Sequence, residues 1–348
     1  MQALATKYRP LTFEEVVGQE NIIKILGNQI RNETIKQSYL FTGGAGTGKT
    51  TSARIFANSL DADLLEIDGA SNNGVDNIRE LREKAKFKPL NKKYKAIIID
   101  EVHMLSTGAF NALLKILEEP PAHVIFIFAT TDPQKIPATI ISRVQRFDFK
   151  RLTVQQIQYR LMDIIEFENN EIEHNSAGEA DSEDYIKVSK DALEYISKIA
   201  NGGMRNAISV LDTCLGYQNT LEIEDIFNIL GTTDYEAIFK VSSAICQNDY
   251  ALVLNTVEEL HQEGKDLKQF VKAFTEFTVD LMKFHLLSDF STVSMPTIYK
   301  KQTEELLEQM KDGNENMREW FKKLSDLQVK IKYESNPKAI IQGELVCI

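Results

Sequence analysis

Eight consecutive residues restrict the fold of this chain more than any other stretch: Gly43-Gly44-Ala45-Gly46-Thr47-Gly48-Lys49-Thr50. They fit the pattern G-x-x-x-x-G-K-[ST], in which glycines let the backbone curl until several N–H groups converge on one point. That curl requires a strand to deliver the loop and a helix to follow it, whose N-terminal N–H groups add partial positive charge. The flanks read accordingly. Tyr39-Leu40-Phe41-Thr42 is strand-like, and a helical pattern runs from Gly48 through Arg54 to Asn58. Converging N–H groups suit phosphate oxygens, Lys49 can reach a β- or γ-phosphate, and the Thr50 hydroxyl can ligate Mg2+. The expected ligand is a nucleoside triphosphate with Mg2+.

The rest of the first 150 residues alternates short apolar runs with helical patterns. Leu64–Ile67, Lys95–Asp100, His123–Ala129 and Arg146–Phe149 read as further strands. The runs at 95–100 and 123–129 are almost wholly apolar, as strands are when helices cover both sheet faces. Helices are expected over Val75–Lys88 and from the N-cap Ser106 to Glu119, where Pro120-Pro121 ends the pattern. Alternation of this kind implies a parallel α/β sheet. Ile97-Ile98-Ile99-Asp100-Glu101 is a buried strand closing on two acids. Downstream of the glycine loop, Asp100 would hold the Mg2+ and Glu101 would polarise the attacking water.

After residue 152 the strands give way to helices, beginning with an amphipathic one over Gln155–Phe167. Residues 168–184 carry seven acids and no Lys or Arg, and read as an exposed loop or insertion. Helices resume over Lys190–Ala200 and Met204–Tyr217, and Gly231-Thr232-Thr233-Asp234 breaks the pattern again. The expected organisation is α/β plus all-α: a base over 1–152, a small helical domain over 153–231 and a second helical domain over 232–348.

Composition narrows the function. The chain has 348 residues, 43% of them hydrophobic, and a net charge of −11. That balance is globular and argues against a protein that coats nucleic acid over its whole surface. Cys214, Cys246 and Cys347 are dispersed and odd in number, which fits reduced thiols and no zinc site. The N-terminus lacks the apolar core of a signal peptide, and no apolar run is long enough to span a bilayer. A cytoplasmic protein with no membrane partner is expected. Several polar positions stay open on spacing alone. Thr130-Thr131 is either an ordinary loop pair or sits near a γ-phosphate. Arg143 and Arg205 are either surface arginines or stabilise phosphoryl charge. The lysines at 84, 86, 88, 92, 93 and 95 form either a phosphate-contacting patch or, more commonly for such runs, a solvated helix end.

Together these residues resemble the bacterial DNA polymerase III gamma/tau subunits, the ATPases of the sliding-clamp loader within the AAA+ superfamily. The resemblance is carried by Ala5-Thr6-Lys7-Tyr8-Arg9-Pro10, Phe13, Val17-Gly18-Gln19, the glycine loop and Ile67-Asp68-Gly69-Ala70-Ser71-Asn72. It continues through IIIDEVHMLSTGAFNALLKILEEPP (97–121), ATTDPQKIPATIISR (129–143) and GGMRNAISVLD (202–212). It covers nearly the whole chain, and weakens after residue 231. It implies an AAA+ base, a helical lid over 153–231 and a helical oligomerisation collar over 232–348. It implies that Tyr8, Arg9 and Pro10, with Val17 and Gln19, pack around the adenine. Gly43 through Thr51 would hold the phosphates. Thr130 and Thr131 would form the first sensor, Arg205 would contact phosphate in cis, and Arg143 would act in trans on a neighbouring subunit's ATP. Arg79 matches a family position that contacts the DNA backbone.

The same resemblance implies homologous copies and delta and delta-prime subunits in a pentamer, a beta sliding clamp, and primed DNA. Some features depart from it. Asn58-Ser59-Leu60-Asp61-Ala62-Asp63 stands where the family carries a four-cysteine zinc module, Val144 replaces the cysteine after Arg143, and positions near Asn72 and Gly74 lack basic side chains. No tau-type extension is expected. Two rival readings are another AAA+ motor, such as a branch-migration helicase, and a non-catalytic scaffold like delta-prime. The run at 97–121 opposes the first. The intact Gly48, Lys49, Thr50, Asp100 and Glu101 oppose the second.

Overall fold

A computed structural model of the chain describes residues 2–175, 184–230, 235–310 and 313–348. It forms two compact units, one from residues 1–168 and 200–212, the other from 169–199 and 213–348.

The first unit is built on five parallel strands: β1 (Ser38–Thr42), β2 (Ala62–Asp68), β3 (Tyr94–Asp100), β4 (Val124–Thr130) and β5 (Gln145–Asp148). Their order in the sheet is β2-β3-β4-β1-β5. Helices α1 (Leu4–Lys7) and α2 (Glu20–Arg31) precede β1, and α3 (Lys49–Ser59), α4 (Val75–Lys86), α5 (Thr107–Glu118) and α6 (Ala138–Ile141) make the crossovers. Every residue of β1 and β4 is buried, and successive side chains serve opposite faces. Tyr39, Phe41, Ile98, Ile125 and Ile127 pack with Ile22, Leu26 and Phe56 from α2 and α3. Leu40, Ile97, Ile99, Phe126 and Phe128 pack with Ile78, Leu81, Phe110 and Leu113 from α4 and α5. Two helix layers thus account for the unbroken apolar strands.

Because all the strands point one way, their carboxyl ends share one edge. That edge presents Thr42, Asp68, Asp100, Thr130 and Asp148. In an open parallel sheet this is where ligands bind.

The expected start of α5 is observed. Ser106 caps it, its hydroxyl accepting from the Ala109 N–H at 3.2 Å. Ser106→Ala lowers the unfolding free energy by about 1 kcal/mol. The loss is read as a shift in the urea midpoint, and Ser106→Asp restores it.

Helices α7 (Val154–Asn175), α8 (Lys190–Ile199) and α9 (Met204–Leu215) follow. Two expectations need correction. The acidic stretch does not begin as a loop: α7 continues to Asn175. Glu168 pairs with Lys7 at 2.7 Å, and Asn169 exchanges two hydrogen bonds with the backbone of Ile186. The remainder of the stretch, 176–183, lies outside the described residues, as does the expected break at Gly231–Asp234. Strands also do not vanish after 152. β6 (Lys187–Val188) and β7 (Thr220–Leu221) form a parallel pair. Each is only two residues long, too short to leave a periodic signal.

The second unit continues with α10 (Ile223–Leu230), α11 (Tyr235–Gln247), α12 (Tyr250–Gln262), α13 (Leu267–Leu287), α14 (Lys300–Gln309), α15 (Gly313–Ile331) and α16 (Lys338–Val346). Its core centres on α13. Phe270, Phe274, Phe277, Leu281 and Phe284 recur at helical spacing and are all buried. Trp320 of α15 meets Phe274 edge-on at 5.9 Å. The buried Asp280 is satisfied by the N–H groups of Ser294 and Met295 at 2.8 and 3.1 Å. No helix among the described residues is long and apolar enough to cross a membrane.

Candidate nucleotide site

The glycine loop leaves the carboxyl end of β1 and enters α3. Gly43 has φ 147°, and a Cβ there would lie 2.5 Å from the Phe149 carbonyl oxygen. Gly46 has φ 71° and packs against Gly203, whose Cα would be 3.2 Å from an added Cβ. These are conformations and approaches that only glycine meets without strain. No side chain caps the N-terminus of α3, which leaves its first N–H groups available to an anion.

Lys49, only 6% exposed, folds back over the loop and donates to the carbonyls of Gly43 and Gly44 at 2.9 and 2.7 Å. Burial pushes its ammonium below the ordinary lysine value, with Glu101 and Asp100 opposing. Thr50 donates its hydroxyl to Asp100 Oδ2 at 2.7 Å. The sheet thus brings together the hydroxyl of the loop and the acid of β3, both hard oxygen ligands of the kind Mg2+ takes.

A cavity of about 550 Å³ opens over these groups. Ala45 through Thr51, Asp100, Glu101, Tyr8, Arg9, Pro10, Val17, Arg160 and Arg205 are among the residues that line it. Its volume is in the range of small-molecule sites, and Arg9, Lys49, Arg160 and Arg205 favour a polyanion. Arg9 donates to Thr51 Oγ1 at 3.1 Å. Burial, then the neighbouring Arg54, lowers its guanidinium from the ordinary value, yet an arginine keeps its charge at any working pH. Tyr8 stacks on Phe167 with ring centroids 6.1 Å apart. Burial, reinforced by Glu168, pushes its hydroxyl up to about 12.

Other expected site residues lie elsewhere. Gln19 is buried and ties the loop down, donating to the carbonyls of Thr47 and Lys150 at 3.4 and 2.8 Å. Gly43 and Gly44 meet Lys49 rather than the cavity. Thr130 is fully buried, with Oγ1 accepting from the Asp132 N–H at 3.0 Å. Its neighbour Thr131 donates N–H and hydroxyl to Glu101 Oε2 at 3.3 and 3.0 Å. Glu101 itself sits at φ 45°, ψ 45°, a left-handed conformation that costs a non-glycine residue of order 1–3 kcal/mol.

Arg143 is on the surface, donating to the Thr139 carbonyl at 2.7 Å and to Glu118 at 3.1 Å. Arg79 is exposed and pairs with Asp76 at 2.9 Å. The lysine cluster is largely met by carboxylates: Lys84 by Glu80, Lys86 by Glu83, Lys92 by Asp61 and Lys93 by Glu33. Where the zinc module was sought, α3 passes to β2 through Leu60 and Asp61 alone. No group of three or more His, Cys, Asp or Glu side chains is placed to hold a metal among the described residues.

Reading the sequence missed two residues. Arg160 lines the cavity and donates to the Tyr8 carbonyl at 3.4 Å. On an amphipathic helix nothing distinguished it from a solvated arginine. His103 touches Glu101, and its position next to the paired acids was the available signal.

The strand order, the glycine loop after β1 and the acids that end β3, one strand further across the sheet, define an AAA+ P-loop fold. A RuvB variant from Thermotoga maritima superposes with a TM-score of 0.50 at 18% identity, covering 68% of this chain and 79% of that one. Residues 61–153 match the family described as DNA polymerase III, delta subunit, and 221–326 match DNA polymerase III subunits gamma and tau domain III. The tau subunit of Bacillus subtilis (strain 168) is 42% identical over 308 residues, 81% of this chain and 52% of that protein. The gamma/tau subunit of Mycoplasma genitalium is 35% identical over 318 residues, covering 84% and 51%. Tau from Escherichia coli K12 is 35% identical over 288 residues, covering 76% and 42%. The chain belongs to the gamma/tau family of DNA polymerase III subunits, and spans about half the length of the first two of these relatives.

Proposed function

We propose that this chain is the ATP-hydrolysing subunit of a clamp loader, which opens a ring-shaped beta clamp and loads it onto primed DNA. The observation that carries the reading is the meeting of Thr50 and Asp100 at 2.7 Å under the glycine loop, in a cavity that also holds Glu101 and Arg205. The similarity to gamma/tau subunits supports the choice of machine. Loop N–H groups and Lys49 bind the triphosphate, and Tyr8, Arg9, Pro10 and Val17 face the base. Thr50 and Asp100 would hold Mg2+, which when bound neutralises charge on the β- and γ-phosphates. Glu101 takes a proton from the attacking water, and Thr130 and Thr131 set its surroundings.

In this reading residues 153–231 act as a lid that brings Arg205 to the phosphates, and 232–348 as a collar joining the copies with delta and delta-prime subunits. Arg143 reaches a neighbour's ATP, and Arg79 faces DNA. The assembly works in the cytoplasm. ATP binding orders the ring of subunits around the open clamp, and loss of the γ-phosphate releases it, a two-state equilibrium biased by ligand contacts. The likeness to RuvB concerns the fold alone at 18% identity, so a branch-migration motor stays a rival for experiment rather than for comparison.

The test is ATP turnover by the chain with its partner subunits as clamp and primed DNA are added. Stimulation by both, with no strand separation in an unwinding assay, is expected. Unwinding, or turnover indifferent to clamp, would overturn the reading. Lys49→Ala weakens ATP binding at least about a hundredfold, because a buried charge-assisted contact to phosphate is worth roughly 3 kcal/mol. Isothermal titration calorimetry checks it.

A further inference from the structure

Outside the glycine loop, a cluster of polar side chains in the first unit meets Glu101. His103, partly buried with its side chain 11% exposed, places Nδ1 3.2 Å from Glu101 Oε2. The same Nδ1 is 3.0 Å from Thr130 Oγ1. Oε2 also receives the N–H and hydroxyl of Thr131. Thr130 Oγ1 in turn accepts from the Asp132 N–H, and the Asp132 carboxylate pairs with Lys135.

The tautomer follows from the neighbours. An unprotonated Nδ1 would set its lone pair against a carboxylate oxygen, which is repulsive at this distance. A protonated Nδ1 donates to Oε2 and shares its hydrogen with Thr130. Three donors then converge on Oε2. Oε1 is the oxygen of Glu101 left to accept from water, and Glu101 lines the cavity.

We propose that His103 is a positioning residue for Glu101: Nδ1–H fixes one carboxylate oxygen and ties it to Thr130, so that the other faces the attacking water. His103 touches neither nucleotide nor metal in this scheme. It acts through Glu101, which takes the water's proton as the new oxygen–phosphorus bond forms, the bond to the β–γ bridging oxygen breaks and ADP leaves. The left-handed backbone of Glu101 makes an external anchor for the side chain more important, since the strain does not by itself select a rotamer.

This inference rests on the proposed ATPase activity, so its test has one arm independent of turnover. In the assembled complex, His103→Ala lowers kcat about tenfold, the value of one hydrogen bond to a charged group, with ATP affinity and melting temperature unchanged. His103→Asn, whose amide nitrogen falls near the position of Nδ1, restores most of the rate. His103→Gln, whose amide falls near Nε2, does not. A rate that is unchanged or higher in His103→Ala overturns the proposal, a higher rate meaning that the histidine restrains Glu101. Equal loss in the Asn and Gln variants with a lowered melting temperature also overturns it, by showing a packing role. Independently, nitrogen-15 NMR of the histidine-labelled full chain reports the tautomer. A neutral His103 ring carrying hydrogen on Nδ1, shifting in Glu101→Gln, is expected. Hydrogen on Nε2 alone overturns the inference even where no turnover is found. Absent turnover with the Nδ1–H tautomer present overturns the ATPase reading and leaves the Glu101 contact supported.

Discussion

Replacing Glu101 by glutamine lowers ATP turnover about a thousandfold, within the range assigned to a positioned general base, while ATP affinity changes by less than about threefold. The separation follows from the geometry. In the proposed reading, binding rests on the glycine loop, on Lys49, and on Thr50 and Asp100, which face each other at 2.7 Å. None of these contacts is made by the side chain of residue 101, and Asp100 still supports the charge of Lys49 once Glu101 is neutralised. Glutamine keeps an oxygen that can accept from Thr131, whose hydroxyl and N–H lie 3.0 and 3.3 Å from Oε2. The fold around it therefore stands. What is lost is a group able to take the proton of the attacking water, and that deficit appears only in the transition state. Single-turnover kinetics beside equilibrium ATP titration separates the two quantities. Equal loss of affinity and rate would instead assign Glu101 to nucleotide or metal binding, and a retained rate would remove it from the chemistry.

The core of this site was readable because its chemistry lies in consecutive residues. A glycine loop can be recognised only if the strand and helix around it are also recognisable. Both were, because burial on two faces leaves apolar runs inside the strands, Tyr39–Phe41 in β1, Ala96–Ile99 in β3 and Val124–Ala129 in β4. The helix α5 was equally legible, since Ser106 and Pro120-Pro121 mark its ends locally.

What escaped depended on partners far along the chain. Residues 168–175 look like an acidic loop until Lys7 meets Glu168 and the Ile186 backbone meets Asn169. The lysine run at 84–95 left a phosphate patch and a solvated helix end both open, and its ion pairs, with Asp61 and Glu33 brought to Lys92 and Lys93, agree with the solvated reading. Gln19 suggested a base contact, yet the fold uses its amide to tie Thr47 to Lys150. Arg160 had no local mark at all. Periodicity reports which face of an element is buried, but not which polar groups the fold sets opposite one another.

Under the proposed function, Arg143 would act outside its own copy of the chain. It is absent from the residues lining the cavity, and its guanidinium rests on the Thr139 carbonyl and Glu118 at the surface. With its side chain 35% exposed, its pairing with Glu118 contributes little to stability, so Arg143→Ala leaves the unfolding midpoint essentially unchanged. In the assembly the same substitution lowers turnover about a thousandfold, the lower end of the range for an arginine supplied to a phosphoryl-transfer site. ATP affinity per chain stays near that of the unmodified protein, because the cavity keeps its own Arg9, Lys49, Arg160 and Arg205. Mixing decides whether the effect is in trans. Chains carrying Lys49→Ala, held at an ATP concentration too low to fill their weakened site, keep Arg143, and chains carrying Arg143→Ala bind ATP but lack the arginine. Each preparation alone is inactive. If the arginine serves a neighbour, mixed assemblies regain turnover at junctions where an intact nucleotide site meets an intact Arg143. If it acts within its own chain, no mixture recovers any rate.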